Sequence, residues 1–198
     1  MRDTPIQVGE RFGNFSYDTA WEQGKPLDAL LETGKLLLIF SRYIGCHPCL
    51  MELIDLAALY PKIRQRGGEL LVVMQSAPET VREVLKPGLI YKTAQGEPAV
   101  FGREQLPFDL ACDPTCAIYL EYDIPAAKNK LELFSPASLL KARRAEKMGL
   151  SHGKYEGNEL QLPATFLLKK EGEVAHAHYG KAFADYLNEE ALLALLDR

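Results

Sequence analysis

Two short apolar runs with a pair of cysteines between them limit this chain more than any other feature. Residues 35–40 read Lys-Leu-Leu-Leu-Ile-Phe and residues 69–74 read Glu-Leu-Leu-Val-Val-Met. Runs of this length without polar alternation are strands covered on both faces, as in parallel sheets. Between them come Gly45, then Cys46, His47, Pro48 and Cys49, then Leu50, Leu53, Ile54, Ala57, Leu59 and Ile63. Apolar residues at mixed three and four spacing predict a helix of about four to five turns. It runs to Arg66 and is closed by Gly67 and Gly68, the residue type that ends helices most readily. Strand, helix and strand together form a right-handed crossover unit, so the fold class is α/β with a central sheet.

The rest of the chain extends that pattern. Residues 9–34 read as a hairpin-like entry with a short helix near 27–32. A helix starts at Pro78 and spans 77–85. Gly96, Pro98 and Gly102 break any period across 88–106. A short strand at 108–113 ends in an Asp-Pro turn and leads into a helix at 115–122. Residues 136–148 form a helix whose charge run, Lys141 to Lys147, is a solvated face rather than a binding patch. Residues 151–158 read as loop. Residues 165–179 read as strand, turn and strand around Glu171 and Gly172, and a leucine-rich helix closes the chain at 189–196. Residues 124–162 are the least regular part of the chain; within them 126–160 read as an insertion of the kind that shapes a pocket.

Composition narrows the function classes. A length of 198 residues fits one domain spanning 1–198. The net charge of −4 argues against nucleic acid, whose phosphates want a basic face. No apolar run approaches the roughly 18 residues of a membrane span. The stretch from Met1 to Gln7 lacks the apolar core of a secretory signal, so the expected setting is cytoplasmic, where thiols are kept reduced. Four cysteines are too few for a disulfide framework. A Cys-x-x-Cys pair in such a chain reads as redox chemistry or metal binding.

Position decides between those readings. Cys46 stands directly after a strand and at the start of a helix, where unpaired N–H groups stabilise a thiolate. Cys49 lies one turn on along the same face. It is placed to attack a mixed disulfide or sulfenic acid on Cys46 and close a Cys46–Cys49 disulfide. Pro48 fits the first helical turn. His47 adds a cation beside Cys46 that would lower its pKa further. The competing readings are two cysteines on a core helix, and a four-cysteine zinc site with Cys112 and Cys116. The long helix after Cys49 argues against zinc. His176 and His178 share one face of a strand and read as sheet-face residues, so no metal and no organic cofactor is expected. Cys112 and Cys116 read as buried small hydrophobes, with a second resolving thiol or a disulfide of their own as the alternatives.

The segment with Phe40, Arg42, Cys46, Cys49, Glu52 and Leu53 resembles the peroxiredoxin-like branch of the alkyl hydroperoxide reductase/thiol-specific antioxidant (AhpC/TSA) family. So do Val8 to Phe15 as entry strand, Ala111 to Asp113 with Tyr119 and Tyr122, and Leu162 to Leu168 with Gly172, Val174 and Gly180. The resemblance implies a thioredoxin-like fold: a central mixed β-sheet flanked by helices on both faces. It implies thiol-dependent oxidoreduction, in which Cys46 attacks a peroxide or a disulfide substrate and Cys49 resolves the product. It further implies an external thioredoxin-type dithiol as reductant, and is compatible with a homodimer. It places Pro163 after a cis peptide bond against Cys46. Family members carry a Thr three residues before the attacking cysteine, a Pro four residues before that Thr, and an Arg near the later strand. Tyr43 and Ile39 stand at the first two positions, and the later strand offers Leu162, Pro163 and Ala164. Arg42 is the candidate replacement for the missing guanidinium, and Tyr43 is a candidate pocket residue. The departures favour general dithiol–disulfide exchange as the alternative reaction; a non-catalytic thioredoxin-fold binding module is the alternative from another class.

Overall fold

The computed structural model describes residues 4–197; the first three residues of the polar N-terminus lie outside it. In chain order the elements are β1 (Ser16–Tyr17), β2 (Lys25–Pro26), α1 (Asp28–Leu31), β3 (Lys35–Phe40), α2 (His47–Gln65), β4 (Gly68–Met74) and α3 (Pro78–Leu85). There follow β5 (Leu89–Lys92), β6 (Pro98–Phe101), β7 (Asp109–Cys112), α4 (Ala117–Glu121), α5 (Pro136–Lys147), β8 (Ala164–Lys169), β9 (Val174–Tyr179) and α6 (Glu189–Leu196).

The central sheet has the order β7-β4-β3-β8-β9. β3, β4 and β7 are parallel, while β8 runs antiparallel to β3 and β9 antiparallel to β8. The continuous apolar run of β3 is explained by what lies on each side. Leu37 and Ile39 join a core with Leu53 and Ile63 of α2 and Leu192 and Leu195 of α6. Leu36, Leu38 and Phe40 point the other way, into a core with Leu31 of α1, Tyr119 of α4 and Phe166 of β8. Both faces of the strand are thus removed from water, as helices covering a parallel sheet require.

Two regions went beyond the sequence pattern. The aperiodic stretch 88–106 holds an antiparallel hairpin of β5 and β6. Its turn is closed by Thr93 N–H donating to Glu97 O at 2.8 Å, with Gly96 in the left-handed region at φ 82°. Ile90 and Val100 remain exposed, so no buried period marked it. The insertion is a closed excursion: Ala126 and Gln161 pair as an isolated bridge, and the Gln161 side chain donates to Pro125 O at 2.8 Å. Within it, Ser135 caps α5 by accepting from Ser138 N–H at 3.0 Å.

The Leu162–Pro163 bond corrects an expectation: it is trans, as is every peptide bond among the described residues. Contacts on both sides hold this segment extended. Leu162 N–H donates to Pro125 O at 3.2 Å, and Pro163 O accepts from Gly180 N–H at 2.8 Å, so β8 begins at once with Ala164.

Leu38 sits opposite Leu71 on one side and Phe166 on the other, with no exposed surface. Truncating such a residue loses its transfer energy and leaves a cavity. Leu38→Ala is expected to cost about 2–5 kcal/mol, measured as the loss of unfolding free energy in urea.

Candidate active site

The site is built where β3 ends and α2 begins. Chain leaving β3 passes Ser41, Arg42, Tyr43, Ile44 and Gly45, all buried. Cys46 is the N-cap residue of α2, in an extended conformation; its N–H donates to Tyr43 O at 3.0 Å and its carbonyl accepts from Leu50 N–H at 2.9 Å. Cys46 thus stands at the positive end of α2, the setting that favours a thiolate, although its side chain accepts no hydrogen bond from the first-turn amides. Cys49 is one turn on, and the two form a disulfide with Cα atoms 5.2 Å apart. Cys112 and Cys116 are free.

Arg42 supplies the positive charge at this site. Its Nη1 lies 3.8 Å from Cys46 Sγ, and its Nη2 donates to Glu159 O at 2.7 Å. The guanidinium stacks over the Tyr43 ring at 5.1 Å and the Phe183 ring at 5.8 Å. Arg42 is 9% exposed, and among the described residues no carboxylate forms an ion pair with it. Its Nε is buried without a hydrogen-bond partner. A buried cation in this state has one candidate counter-charge, the thiolate of reduced Cys46.

His47 does not act as the sequence suggests. Burial, then the neighbouring His152, push its pKa below the ordinary value. Both ring nitrogens are buried without hydrogen-bond partners, and Glu146 Oε1 at 3.9 Å is too distant to bond. His47 is therefore neutral at pH 7, and the cation beside Cys46 is Arg42. Tyr43 is fully buried, burial pushes its pKa up to about 12, and its hydroxyl meets His152 Nε2 at 3.1 Å.

These residues line a pocket of about 220 Å³ that contains Arg42, Tyr43, Cys46 and His47. Cys46 itself is 1% exposed, so the pocket is its route to solvent. Pro163 is not part of that lining; it packs on Gly180. The outer wall comes from the insertion: Leu133, Phe134, Ala142, His152, Tyr155 and Glu159. Sequence reasoning placed a pocket-shaping role on this region without naming those residues. The available signal was a loop with an unusual load of functional side chains, His152 and Tyr155, between glycines.

The loop is strapped down at several points. Gly153 N–H donates to Gly45 O at 2.7 Å, a backbone approach that a Cβ at Gly45 would block by striking Lys154 O. Glu156 accepts from Ala77 N–H at 3.2 Å and from Thr80 Oγ1 at 2.8 Å, which caps α3. Asn158 N–H donates to Gln75 Oε1 at 2.6 Å.

A larger cavity of about 430 Å³ lies between α2, α5 and α6 and contains neither cysteine. Glu52 lines it, with Lys141 Nζ 3.6 Å from its carboxylate. Burial outweighs that partner and raises the Glu52 pKa to about 7. Among the described residues no cluster of three or more His, Cys, Asp or Glu is arranged to hold a metal ion. No helix among them is long and apolar enough to cross a membrane.

A mixed five-stranded sheet with helices on both faces and a Cys-x-x-Cys pair heading the first long helix defines a thioredoxin-like redox protein. The chain matches the AhpC/TSA family over residues 8–177 and belongs to it. It is accordingly a thiol peroxidase or thiol–disulfide oxidoreductase. No curated protein matches the chain. Among solved structures it is similar to reduced 2-Cys peroxiredoxin of Plasmodium vivax, with TM-score 0.64 and 17% identity over 98% of this chain and 81% of that one. A peroxiredoxin-like protein of Aquifex aeolicus gives TM-score 0.63 and 13% identity, covering 98% and 88%. Xanthomonas campestris peroxiredoxin Q gives 0.57 and 19%, covering 92% and 89%. At these identities the likeness is one of fold.

Glu52 sets a pH dependence of stability. A carboxyl raised from 4.5 to about 7 by burial favours folding most when protonated, so its contribution is full below the unfolded pKa and is lost as pH rises to about 7. Glu52→Gln removes that loss. The stability of the variant relative to the unsubstituted protein is expected to rise between pH 4.5 and 7.5 by up to about 3 kcal/mol, read from urea unfolding of the disulfide form at both pH values.

Proposed function

We propose that this chain is a thiol peroxidase in which Cys46 is the attacking thiol and Cys49 the resolving one. The Cys46 thiolate attacks one peroxide oxygen. The O–O bond breaks, Cys46 becomes a sulfenic acid, and the second oxygen leaves and takes up a proton. The Cys49 thiol then attacks the sulfenic sulfur, expelling water and closing the Cys46–Cys49 disulfide. Two electrons and two protons from an external dithiol, of the thioredoxin type, restore both thiols.

The observation that carries this reading is Arg42. Its guanidinium lies 3.8 Å from the sulfur, and one of its N–H groups has no partner. An opposite charge at this range lowers a pKa by about 1–3 units, and the Nη1 N–H groups beside the sulfur are placed to donate to an incoming peroxide oxygen. The pocket supports a small substrate: its size is about 220 Å³ and it is partly apolar, with Leu133, Phe134, Ala142 and Phe183. Both hydrogen peroxide and a short organic hydroperoxide fit that description. The second reading, general dithiol–disulfide exchange, is favoured by Tyr43, which stands where the family carries its oxygen-orienting Thr.

Stopped-flow mixing of the reduced protein with hydrogen peroxide separates the two. Oxidation of Cys46 more than about tenfold faster than a free thiolate is expected, with Arg42→Met slowing it at least about tenfold at pH 7. Mass spectrometry after alkylation is expected to find Cys46 bridged to Cys49 and both Cys112 and Cys116 free. Oxidation at the free-thiolate rate would leave disulfide exchange as the reaction.

A further inference from the structure

The departing oxygen of a peroxide must take up a proton inside a pocket whose sulfur is shielded from water. Arg42 holds charge there, but it does not give up protons. Among the described residues the pocket offers a hydrogen-bonded pair of titratable groups that reaches solvent: the buried Tyr43 hydroxyl and the exposed His152 imidazole, 3.1 Å apart.

The hydrogen bonds of His152 fix what that chain can do. Its Nδ1 lies 2.8 Å from Gly153 O. A carbonyl only accepts, so Nδ1 carries hydrogen. In the neutral imidazole Nε2 is then an acceptor, and the Tyr43 hydroxyl must donate to it. In the imidazolium Nε2 is a donor, the Tyr43 oxygen accepts, and the Tyr43 proton is free to point elsewhere in the pocket. The backbone carbonyl that sets this tautomer is held in turn by its own residue, since Gly153 N–H is anchored on Gly45 O, beside Cys46.

We propose that His152 is a positioning residue for peroxide reduction: in its protonated form it releases the Tyr43 hydroxyl to protonate the departing oxygen, and then replaces the proton Tyr43 has given up. This rests on the peroxidase reading above. The step balances. Cys46 thiolate, peroxide and imidazolium yield Cys46 sulfenic acid, an alcohol or water, and neutral His152. Tyr43 begins and ends protonated. The transfer from Tyr43 to the departing oxygen runs downhill, because burial pushes the Tyr43 hydroxyl up to about 12, still below water at roughly 15.7.

Other groups face this relay. His47 at the head of α2 has its ring 5.8 Å from that of His152, with Glu146 of α5 beyond it. Tyr155 of the same loop stacks on His152 at 4.1 Å. Arg42 faces the Tyr43 ring, and the Glu159 backbone holds Arg42. Burial, then His152, lower the His47 pKa, and its ring nitrogens have no hydrogen-bond partner, so no hydrogen bond joins it to the chain. The arrangement offers a hydroxyl donor at the position where the family's threonine is absent, and ties its use to the state of one exposed imidazole.

The test compares two reactions of the same thiolate. Oxidation by hydrogen peroxide needs a proton delivered to the departing oxygen; alkylation by iodoacetamide releases iodide and needs none. Both rates are measured at Cys46 in reduced protein from pH 5.5 to 8.5, and their ratio cancels the thiolate fraction. In the unsubstituted protein the ratio is expected to fall about tenfold or more as pH rises from 5.5 to 8.5 and the His152 relay loses its proton. In His152→Gln and in Tyr43→Phe it is expected to be low and flat with pH. Tyr43→Phe leaves the loop and its histidine in place, so agreement between the variants excludes a merely displaced loop. A His152→Gln ratio that keeps the original slope and size would overturn the relay while leaving the peroxidase intact. Should the unsubstituted protein oxidise no faster than a free thiolate while alkylation proceeds, the peroxidase reading itself falls, and the relay with it.

Discussion

The site depends on a guanidinium buried without a carboxylate. Removing an arginine from water costs several kcal/mol unless a partner returns the loss. Here the partners are a backbone carbonyl from Glu159, two aromatic faces and the sulfur of Cys46. None of the first three carries a full negative charge. The Cys46 thiolate does, but only in the reduced protein; the disulfide withdraws it. Arg42 therefore favours the reduced form with Cys46 ionised, and stabilising the reduced form makes a disulfide a stronger oxidant. In the proposed cycle the charge that activates Cys46 for attack also biases the Cys46–Cys49 disulfide toward taking electrons back, so both halves of that cycle would draw on one contact.

That contact exists because the insertion is folded over the head of α2. Glu159, which fixes the guanidinium, is 117 residues away from Arg42 in sequence. The two meet because Ala126 and Gln161 close the base of the excursion and Gly153 lies on Gly45. At that crossing no side chain separates the two backbones, and each is satisfied by the other's amide or carbonyl. The sheet supplies a rigid strand end for the cysteine turn, and the loop supplies the roof. This division of labour, with chemistry on loops and precision from the scaffold, is the general arrangement of enzyme sites.

What the sequence could reveal follows from the range over which each feature is decided. β3, α2 and β4 were legible because burial on both faces writes itself into consecutive residues. The start of α3 at Pro78 and of α5 at Pro136 were legible because proline favours a helix's first turn. The hairpin of β5 and β6 was not, since it stands off the sheet with Ile90 and Val100 in solvent and leaves no apolar period. His47 was misjudged for a different reason. Its place in the motif suggests a cation, but its protonation is set by desolvation among residues distant in sequence, His152 first among its charged neighbours. Pro163 carried a fold-level expectation that local contacts with Pro125 and Gly180 replaced with an extended strand entry. The wall residues Phe134, His152 and Tyr155 came into view only with the tertiary structure, because no spacing rule connects an irregular loop to a cysteine about a hundred residues earlier.

The four cysteines are chemically alike but differ in their surroundings: Cys46 and Cys49 are bridged across one helical turn, and Cys112 and Cys116 are free. Cys112 ends β7, an edge strand of the central sheet, and burial pushes its thiol up to about 12, so the nucleophilic anion is scarce there. Cys116 is half-buried, and burial with the nearby Asp113 raises its pKa as well. Neither has a cation at close range comparable with Arg42 beside Cys46. In the proposed reaction attack on a peroxide depends on thiolate, so the oxidant would meet Cys46 with Arg42 beside it and Cys49 a helical turn away. The disulfide joins Cys46 and Cys49, and the thiols at the end of β7 and the head of α4 are free.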